Sequence, residues 1–559
     1  MATAYMEIGG ISVGNAIWNS VEVTQELNRH WWCKVKLLQT EDQRFPIETW
    51  LGQDCTIQAM ADSGSIIVFS GFILEGKLDY ELSGGYTAEL TCVTYSYKLE
   101  LTHQESYFSQ QGLASIAQTI TGVDGLTATV QCSQDIPGDY VQWGETDFAF
   151  LIRLADDHQA WLRPSETGIE IYDQFQSGST LTWRKEGEIV QFSMAGRLGQ
   201  PTFQGTHYNP EKTQSQYFSG VEESPGFLGG SAPMVAAVLR ASRSVMAPGA
   251  LYSDTRALTA EAYEQKLKRE SVRSVAANLV GYGVSRSPQV KAGNTLQIAG
   301  TLDAAGTYGV TKVVHRWTQL GYENEFWCTP WKNWVSPVRP EHKPMDGVVV
   351  ARVVDHNDPL GIGRLRVQYD WQTNSTTAWL RMAVPHAGGT RGFMFMPEVG
   401  DEVLVSFEHG DAEQPIVVGC LWNSANFAPR QSFLTGTMAA AAGAVVGLGL
   451  TDDVLASGVP SDIANNNVKK IVTKSNNRLV FSDAVETQNQ GAALIVPNVG
   501  SIKLLQTGLM SDGSSTGRPI IAIECTDGDI VLGAPNGRVH IRSLYYSREI
   551  GTPPTGSTS

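Results

Sequence analysis

Apolar residues recur in pairs every nine residues near the end of the chain, and this short repeat limits what the chain can fold into. The pairs are Ile521 and Ile523, Ile530 and Leu532, and Val539 and Ile541. Upstream, Ile471 with Thr473 and Leu479 with Phe481 repeat at a spacing of eight. Such units are too short to fold alone, but stacked short strands can bury their alternate side chains on a common axis. One chain with one narrow apolar stripe cannot enclose that core, so the repeat predicts a β-solenoid or β-prism built from three copies.

The composition indicates a folded, strand-rich and acidic protein. Hydrophobic residues make up 42% of the 559 residues and charged residues 18%, a balance that disordered chains do not have. The 56 glycines favour tight turns and hence β-structure. Lysine and arginine total 41 against 57 acidic residues, which gives a net charge of −16. Such a chain is a poor candidate for binding nucleic acid or anionic lipid, because both depend on basic side chains.

Cysteine usage and the N-terminal sequence predict folding in a reducing compartment. The seven cysteines are scattered and never form a C-x-x-C pair, so neither a disulfide framework nor a zinc knuckle is predicted. Residues 1–14 lack the basic and apolar segments of a secretory signal peptide. The apolar tract 438–450 is too short to cross a bilayer about 30 Å thick. It is compatible with a packed helix inside a trimer, a lipid-active segment or a flexible strap.

Strand and helix patterns divide the first part of the chain. Residues 1–100 contain short β-rich runs separated by glycines. Residues 147–160 place apolar side chains on one helical face, with a carboxylate at the start. Residues 259–279 form the clearest helix pattern, with Gly281 and Gly283 as its stop signal. The polar, Gly/Pro/Ser-rich residues between 203 and 255 are predicted to be a surface excursion.

A compact strand-rich segment follows a proline-rich linker. Residues 346–423 contain six β-rich runs in under eighty residues, one of them the FMFMP sequence at 393–397. Loops of Gly, Pro, Asp and Asn separate these runs, and the pattern predicts a small closed barrel.

Motifs in this segment resemble the oligonucleotide/oligosaccharide-binding (OB) barrel of the VgrG family, the spike proteins of contractile injection systems. The residues that carry the resemblance are Asp358, Pro359, Gly363, Arg364, Trp371, Trp379, Arg381, Gly400, Asp401, Glu402, Gly410, Pro415 and Gly419. Upstream, the stretch from Val141 to Ala155 resembles a phage tail-hub-like region, as does the helix from Thr259 with the residues that follow it. The terminal repeat resembles the family's β-helix needle.

The resemblance implies a mainly β fold with some α-helix and five segments along the chain. They are a hub-like region at 1–340 with two related barrel-like domains plus helices, an OB-fold barrel at 341–425, a linker at 426–465, a needle at 466–550 and a tip tail at 551–559. The needle is expected to be a triple-stranded β-helix formed by a homotrimer. Assembly is expected in the bacterial cytoplasm, with delivery outside the cell or into a target cell on firing.

The function implied by the resemblance is that of a structural spike at the tip of an inner tube, which punctures target envelopes. Its expected partners are further copies of itself, inner tube and baseplate proteins, effector cargo and a conical tip protein of the PAAR type. The residues expected to contact that tip protein are Arg542, Tyr545, Arg548 and Ile550. Two alternatives are a spike with its own cell-wall-degrading or toxin activity and a trimeric receptor-binding fibre. An enzyme would be favoured by a further domain after Ile550 or by a large insert, and the sequence is expected to have neither.

The sequence predicts no enzyme, no catalytic residue and no cofactor. Two G-x-S-x-G strings, at 10–14 and 513–517, lack the helix that a nucleophile elbow needs. GFILEGK at 71–77 is a strand rather than a phosphate loop, and Asp156–Asp157 is predicted to be a solvated helix face. His540 is the weak metal candidate, because strand alternation turns it outward and Arg542 stands where a second histidine is needed. The Trp31–Trp32 pair and the tryptophans at 327–334 are either core residues or partner anchors.

Overall fold

The computed structural model has two compact units, Met1–Leu421 and Trp422–Ser559, and each is described by itself. The described residues are 4–14, 18–39, 46–61, 64–80, 86–101, 103–183, 188–209, 214–251, 260–300, 303–341, 343–372, 375–389, 391–423, 468–475, 477–484, 489–507, 519–525 and 530.

The first unit contains twenty-eight strands, five α-helices and two 3₁₀-helices, Tyr95–Glu100 and Glu408–Gly410, among its described residues. Its strands are β1 (Ala4–Ile8), β2 (Ile11–Val13), β3 (Trp18–Glu26), β4 (Trp32–Gln39), β5 (Asp54–Ala61), β6 (Gly64–Tyr80), β7 (Tyr86–Val93), β8 (His103–Gln111), β9 (Thr127–Gln131), β10 (Gly138–Thr146), β11 (Trp161–Pro164), β12 (Gly168–Tyr172), β13 (Gln176–Thr182), β14 (Ile189–Gly196), β15 (Phe203–Asn209), β16 (Gln214–Val221), β17 (Gly249–Ala250), β18 (Leu279–Ser285), β19 (Asn294–Ala299), β20 (Gly306–Thr318), β21 (Gly321–Thr329), β22 (Val348–Asp355), β23 (Arg366–Tyr369), β24 (Arg381–Met382), β25 (Ala387–Gly388), β26 (Arg391–Gly392), β27 (Glu402–Phe407) and β28 (Pro415–Leu421). Its α-helices are α1 (Ile47–Trp50), α2 (Leu113–Val123), α3 (Asp147–Asp157), α4 (Ala232–Val245) and α5 (Ala260–Ala276).

A thirteen-stranded sheet forms the framework of the hub region. Its main path runs β14-β18-β21-β20-β3-β4-β7-β6-β5-β1-β2, with β19 and then β13 branching from β20. Early and late strands meet where β3 pairs with β20, so one ladder links the first hundred residues to residues 176–329. Alternation places Val21 and Val23 in the core, as expected for strands with one buried face. The mainly β prediction is confirmed, and the division into two related barrels stays a prediction.

A smaller α/β layer lies between these two groups of strands in the sequence. It runs β8-α2-β9-β10-α3-β11-β12, and its core includes Ile116, Phe150 and Leu154. Helix α3 forms where the apolar spacing predicted a helix, although it ends at Asp157. Its N-cap is Thr146, whose hydroxyl oxygen accepts a hydrogen bond from the backbone amide of Ala149.

Two local predictions in the hub region were wrong. Residues 203–255 are more regular than a surface excursion, because they include the three strands β15–β17 and the helix α4. Gly281 and Gly283 do not end α5, which stops at Ala276, but lie within β18. A Cβ at Gly283 would stand 2.3 Å from the ring of Phe326, so close packing explains this glycine.

The OB segment forms a five-stranded sheet of order β23-β22-β27-β28-β24. An isolated bridge between Leu365 and Leu380 joins the two ends of this path, and the Thr377 amide adds a hydrogen bond to the Val367 carbonyl oxygen at 3.0 Å. The FMFMP run was predicted to be a strand, but residues 393–397 form no β-ladder with any described residue. A strand needs a neighbour for its backbone groups, and residue pattern alone does not supply one.

The second unit is an antiparallel meander over its described residues. Its strands are β29 (Val468–Val472), β30 (Arg478–Ala484), β31 (Asn489–Val496), β32 (Gly500–Thr507) and β33 (Pro519–Cys525), paired in chain order. The predicted strands around the eight-residue spacing are therefore present, in a sheet made by one chain.

Candidate functional site

Asp358 organises the loop that enters β23. Its carboxylate accepts hydrogen bonds from the backbone amides of Leu360, Ile362 and Arg364 at 3.0 to 3.1 Å. The Arg364 guanidinium adds an ion pair at 2.8 Å. Burial opposes ionisation, but these hydrogen bonds from Arg364 and the amides hold the pKa of Asp358 well below its usual range. The loop also needs Gly363, whose φ of 81° is unfavourable for other residues.

A tight turn leads into β27. Gly400 has a φ of 96°, and the Asp401 carboxylate accepts a hydrogen bond from the backbone amide of Glu398 at 2.8 Å. Glu402 then lies opposite Arg352 and Leu421 in the register of the two neighbouring strands. These motif residues set the register of the barrel.

The remaining motif residues also occupy structural positions. Pro359 lies in the turn after Asp358, and Trp379 lies under the Arg366 guanidinium at 5.5 Å. Arg381 forms an ion pair with Glu408 at 3.2 Å, and the carbonyl oxygen of Gly410 accepts a hydrogen bond from the Met345 amide at 2.7 Å. Pro415 begins β28, and Gly419 lies opposite Leu404 in the sheet. They are distributed over loops and strand ends and do not converge on one cleft. The arrangement therefore holds the barrel in shape.

A buried arginine fixes the barrel to the α/β layer of the hub. Arg153 of α3 donates to Glu145 at 2.7 Å, to Glu413 of the barrel at 3.2 Å and to the carbonyl oxygen of Val141 at 2.7 Å. Its side chain is only 5% exposed. Burial opposes its charge, but Glu413 and Glu145 raise the pKa of Arg153, so the cation is retained. Sequence reasoning matched Glu145 and Arg153 to the family but missed this joint, for which a basic residue amid the apolar residues of α3 was the only signal.

Aromatic side chains complete the joint between hub and barrel. The Tyr107 hydroxyl oxygen accepts a hydrogen bond from the backbone amide of Ala378 at 3.0 Å. The rings of Trp143 and Trp371 lie 6.1 Å apart, and Val141 belongs to the same core cluster as the barrel interior. The barrel is therefore attached to the hub by shared core residues as well as by charge.

A second ionic network ties α3 to α5, which corrects the prediction of a solvated Asp156–Asp157 face. Asp156 is 6% exposed and pairs with Arg273 at 2.6 Å, while Asp157 pairs with Arg269 at 2.8 Å. Burial raises the pKa of Asp156, although Arg273 opposes the shift. The carboxylates hold two helices together, and this contact depends on residues more than one hundred positions apart.

Several other residues that the sequence analysis considered for a functional role lie in turns, strands or the hydrophobic core. Gly10 lies in the β1–β2 turn with no helix after it, and residues 71–77 lie within β6, as predicted. Trp31, Trp331 and Trp334 are core residues. His540, the tip residues Arg542, Tyr545, Arg548 and Ile550, and the tract 438–450 lie outside the described residues. Among the described residues, no three His, Cys, Asp or Glu side chains are grouped so that they could hold a metal ion.

Apolar residues gather on one face of the meander in the second unit. Residues that oppose each other across strands point to the same side, as do residues two apart along a strand. Residues on this side, here called the apolar face, are Ile471, Leu479, Phe481, Ala492, Leu494, Ile502, Leu504, Ile521 and Ile523. Seven of the nine are 39% to 73% exposed in the single chain. Five residues singled out by the spacing of the repeat therefore lie on one surface, namely Ile471, Leu479, Phe481, Ile521 and Ile523.

No described helix is both long enough and apolar enough to span a bilayer.

Profiles of two protein families match the chain. The phage tail baseplate hub (GPD) family matches residues 24–321, which is more than half of the sequence. The type VI secretion system/phage-baseplate injector OB domain matches residues 349–422. The two matches lie one after the other along the chain and do not overlap.

Curated relatives are spike proteins of secretion systems. The chain is 35% identical over 125 residues to the type VI secretion system spike protein VgrG4b of Pseudomonas aeruginosa, covering 20% of this chain and 15% of that protein. It is 38% identical over 104 residues to spike protein VgrG3 of Vibrio cholerae, covering 16% and 10%. It is 24% identical over 405 residues to the actin cross-linking toxin VgrG1 of Vibrio cholerae, covering 61% and 34%. Each match spans only a minor part of the relative.

Solved structures share the fold. The E. coli c3393 protein, a component of the type VI secretion system similar in structure to the T4 tail proteins gp27 and gp5, superposes with a TM-score of 0.52. It is 16% identical, and the match covers 74% of this chain and 99% of that one. A chain of the Francisella PdpA–VgrG complex gives a TM-score of 0.56 at 8% identity, covering 94% and 88%. At these identities the likeness concerns the fold alone.

Proposed function

Because the chain belongs to the phage tail baseplate hub (GPD) family and has VgrG spike proteins among its relatives, we propose that three copies form the spike of a contractile injection apparatus. The hub half of each copy meets the inner tube, and the OB barrel forms a collar around the threefold axis. The second unit projects as the needle that punctures a target envelope. Its role is mechanical, with stiffness rather than catalysis as the property that matters.

The observation that carries this proposal is the apolar face of the second unit. A large exposed apolar patch marks an interaction surface, because soluble proteins rarely leave one open to water. Three meanders that turn this face toward a common axis remove it from water and form a triple-stranded β-helix or prism. Further pairing between copies protects the edge strands β29 and β33.

The partners of this spike follow from its position at the tube tip. Inner tube and baseplate proteins contact the hub end. A conical tip protein of the PAAR type binds at Arg542, Tyr545, Arg548 and Ile550, and effectors travel with the spike. Assembly takes place in the cytoplasm, and delivery follows sheath contraction.

The mass of the purified chain in solution tests the proposal. We expect about three times the chain mass of 60.7 kDa by light scattering or native mass spectrometry. Deleting residues 466–559 is expected to weaken the trimer and abolish binding of a tip protein. A folded single chain of 60.7 kDa would contradict the spike, and tip binding by the truncated chain would contradict the assigned tip residues.

A further inference from the structure

Three of the seven cysteines meet inside the hub, although they are distant in the sequence. Cys33 of β4 lies directly opposite Cys92 of β7 in the register of the sheet. Cys55 comes from β5, and the residue opposite it on β6 is Gly71, which has no side chain to keep the thiols apart. Hydrogen bonds join the Cys92 thiol to the thiols of Cys33 and Cys55. Three strands therefore contribute one cluster of thiols.

The pair Cys33 and Cys92 has the spacing that a disulfide needs. Directly opposite residues of two antiparallel strands have Cα atoms about 4.5 to 5.5 Å apart. Disulfides join residues whose Cα atoms are about 4.4 to 6.8 Å apart. The ladder between β4 and β7 therefore already holds these two cysteines within reach of a covalent bond.

Burial protects the cluster while the sheet is closed. The side chains of Cys33, Cys55 and Cys92 are all 0% exposed. Burial raises the pKa of Cys33, and hydrogen bonding to Cys33 raises the pKa of Cys92. The thiolate is the form that attacks a disulfide, so reaction in the closed sheet is slow. Local opening of β4 and β7, or folding itself, gives an oxidant access to the pair.

We propose that Cys33 and Cys92 are a redox modification site, which closes to a disulfide between β4 and β7 when the chain meets a low-molecular-weight disulfide such as oxidised glutathione. One cysteine attacks the glutathione disulfide and releases a first glutathione thiol, and the other cysteine then displaces the second glutathione. The two cysteines lose two electrons and two protons, which the two glutathione thiols carry away. The site goes beyond the proposed function and does not depend on it, because both thiols belong to one chain.

The bond changes how the hub resists unfolding. It closes a loop from Cys33 to Cys92, and such a loop restricts the unfolded chain more than the folded one. The reduced hub is therefore the less stable form, and a disulfide oxidant strengthens it.

Peptide mapping of the full chain tests the site. The reduced, folded protein is incubated with oxidised glutathione, and a second sample is refolded from denaturant in the same buffer, so that burial does not prevent the reaction. Free thiols are then alkylated in denaturant, and the chain is digested with trypsin without reduction. Trypsin separates the three cysteines into different peptides by cutting after Lys34 and Lys77. We expect the peptides of Cys33 and Cys92 to be joined and that of Cys55 to be alkylated.

Thermal unfolding of the oxidised chain is the second measurement. We expect the unfolding temperature of the hub to rise by a few degrees and to return when dithiothreitol reduces the bond. Cys33→Ser is expected to lose both the joined peptide and this rise, whereas Cys55→Ser keeps both. Cys328 is the native control, because it is buried but stands opposite Gly281 and Val310, and it is expected to be alkylated in every sample.

The outcomes decide the assignment. Joined peptides of Cys33 and Cys92 in the native chain support the site, even where a serine variant does not fold. Alkylation of all three cysteines in both samples, or glutathione retained on one of them, overturns it and leaves the cluster as core packing. A bond between Cys55 and Cys92 overturns the assigned pair. An unchanged unfolding temperature in the bridged chain overturns the stabilising effect of the bond.

Discussion

At the residue scale, the strongest constraints are charges buried at contacts between distant parts of the chain. Arg153 is held by two carboxylates that come from the hub and from the barrel. Removing one partner of a buried ion pair leaves the other charges without compensation, and this costs more than losing an exposed pair. The position of a charge within the fold therefore decides how much its ion pair contributes to the stability of the folded chain.

Replacing Arg153 by methionine is expected to destabilise the first unit by about 3 to 5 kcal/mol, because Glu145 and Glu413 lose their cation. The matched control is Arg381→Met, whose guanidinium is 43% exposed and pairs with Glu408. That change is expected to cost less than about 1 kcal/mol. Denaturant unfolding followed by tryptophan fluorescence measures both. Equal effects of the two substitutions would contradict the assignment of Arg153 as the joint.

The loop at Asp358 is expected to resist acid. A carboxyl whose pKa is lower in the folded state contributes stability above its unfolded pKa of about 3.9 and loses it only as the pH falls through the folded pKa. Exchange of the Leu360 and Ile362 amides, corrected for the intrinsic rate, should stay slow down to about pH 3.9 and rise only below it. In Asp358→Asn it should be fast at every pH, whereas Asp370→Asn, at an exposed carboxyl of the same barrel, should leave it unchanged. Fast exchange in the native chain at neutral pH would contradict this account.

At the element scale, glycine is required for different physical reasons at different positions. Gly400 allows a turn through its positive φ, whereas Gly283 lies in β18 because a side chain would collide with Phe326. In the sequence, both positions show only a glycine near a change of pattern. The sterically required Gly283 depends on Phe326, which lies 43 residues further along the chain (326 − 283).

Alanine at Gly283 is expected to destabilise the hub by about 1 to 3 kcal/mol, because the added methyl group forces Phe326 out of place. Gly419→Ala is the matched control, since a Cβ at this strand position meets no atom within 4 Å. Thermal unfolding of the two variants against the native chain gives the comparison. A Gly283→Ala chain as stable as the control would show that Phe326 moves at little cost.

Local patterns predicted the elements better than their partners. The helix at 147–160, most strands of the barrel and the apolar spacing at 471–481 could be predicted, because each depends on residues close in sequence. The buried pairing of Asp156 with Arg273 could not, since a helix face is solvated or covered depending on what packs against it. FMFMP shows the same limit, because strand propensity does not provide a neighbouring strand.

At the scale of the whole molecule, the apolar face of the second unit is a surface that the described residues of one chain leave exposed. The repeat predicted an axis shared between copies, and the described meander places five residues of that repeat on one surface. Whether three copies close around that surface is the point on which the proposed function depends.

A charge placed at the centre of the apolar face is therefore expected to prevent assembly. Ile502 lies opposite Leu494 and Ile523 and is 47% exposed in the single chain, so aspartate is tolerated in a free chain but is buried among apolar side chains in a trimer. Ile502→Asp should shift the mass from about three times 60.7 kDa to 60.7 kDa without loss of the circular dichroism of the hub. Val499→Asp is the control, because Val499 is 60% exposed but lies in the turn between β31 and β32, away from the apolar face. A trimer that survives Ile502→Asp would mean that the copies are held together elsewhere, and the apolar face would need another occupant.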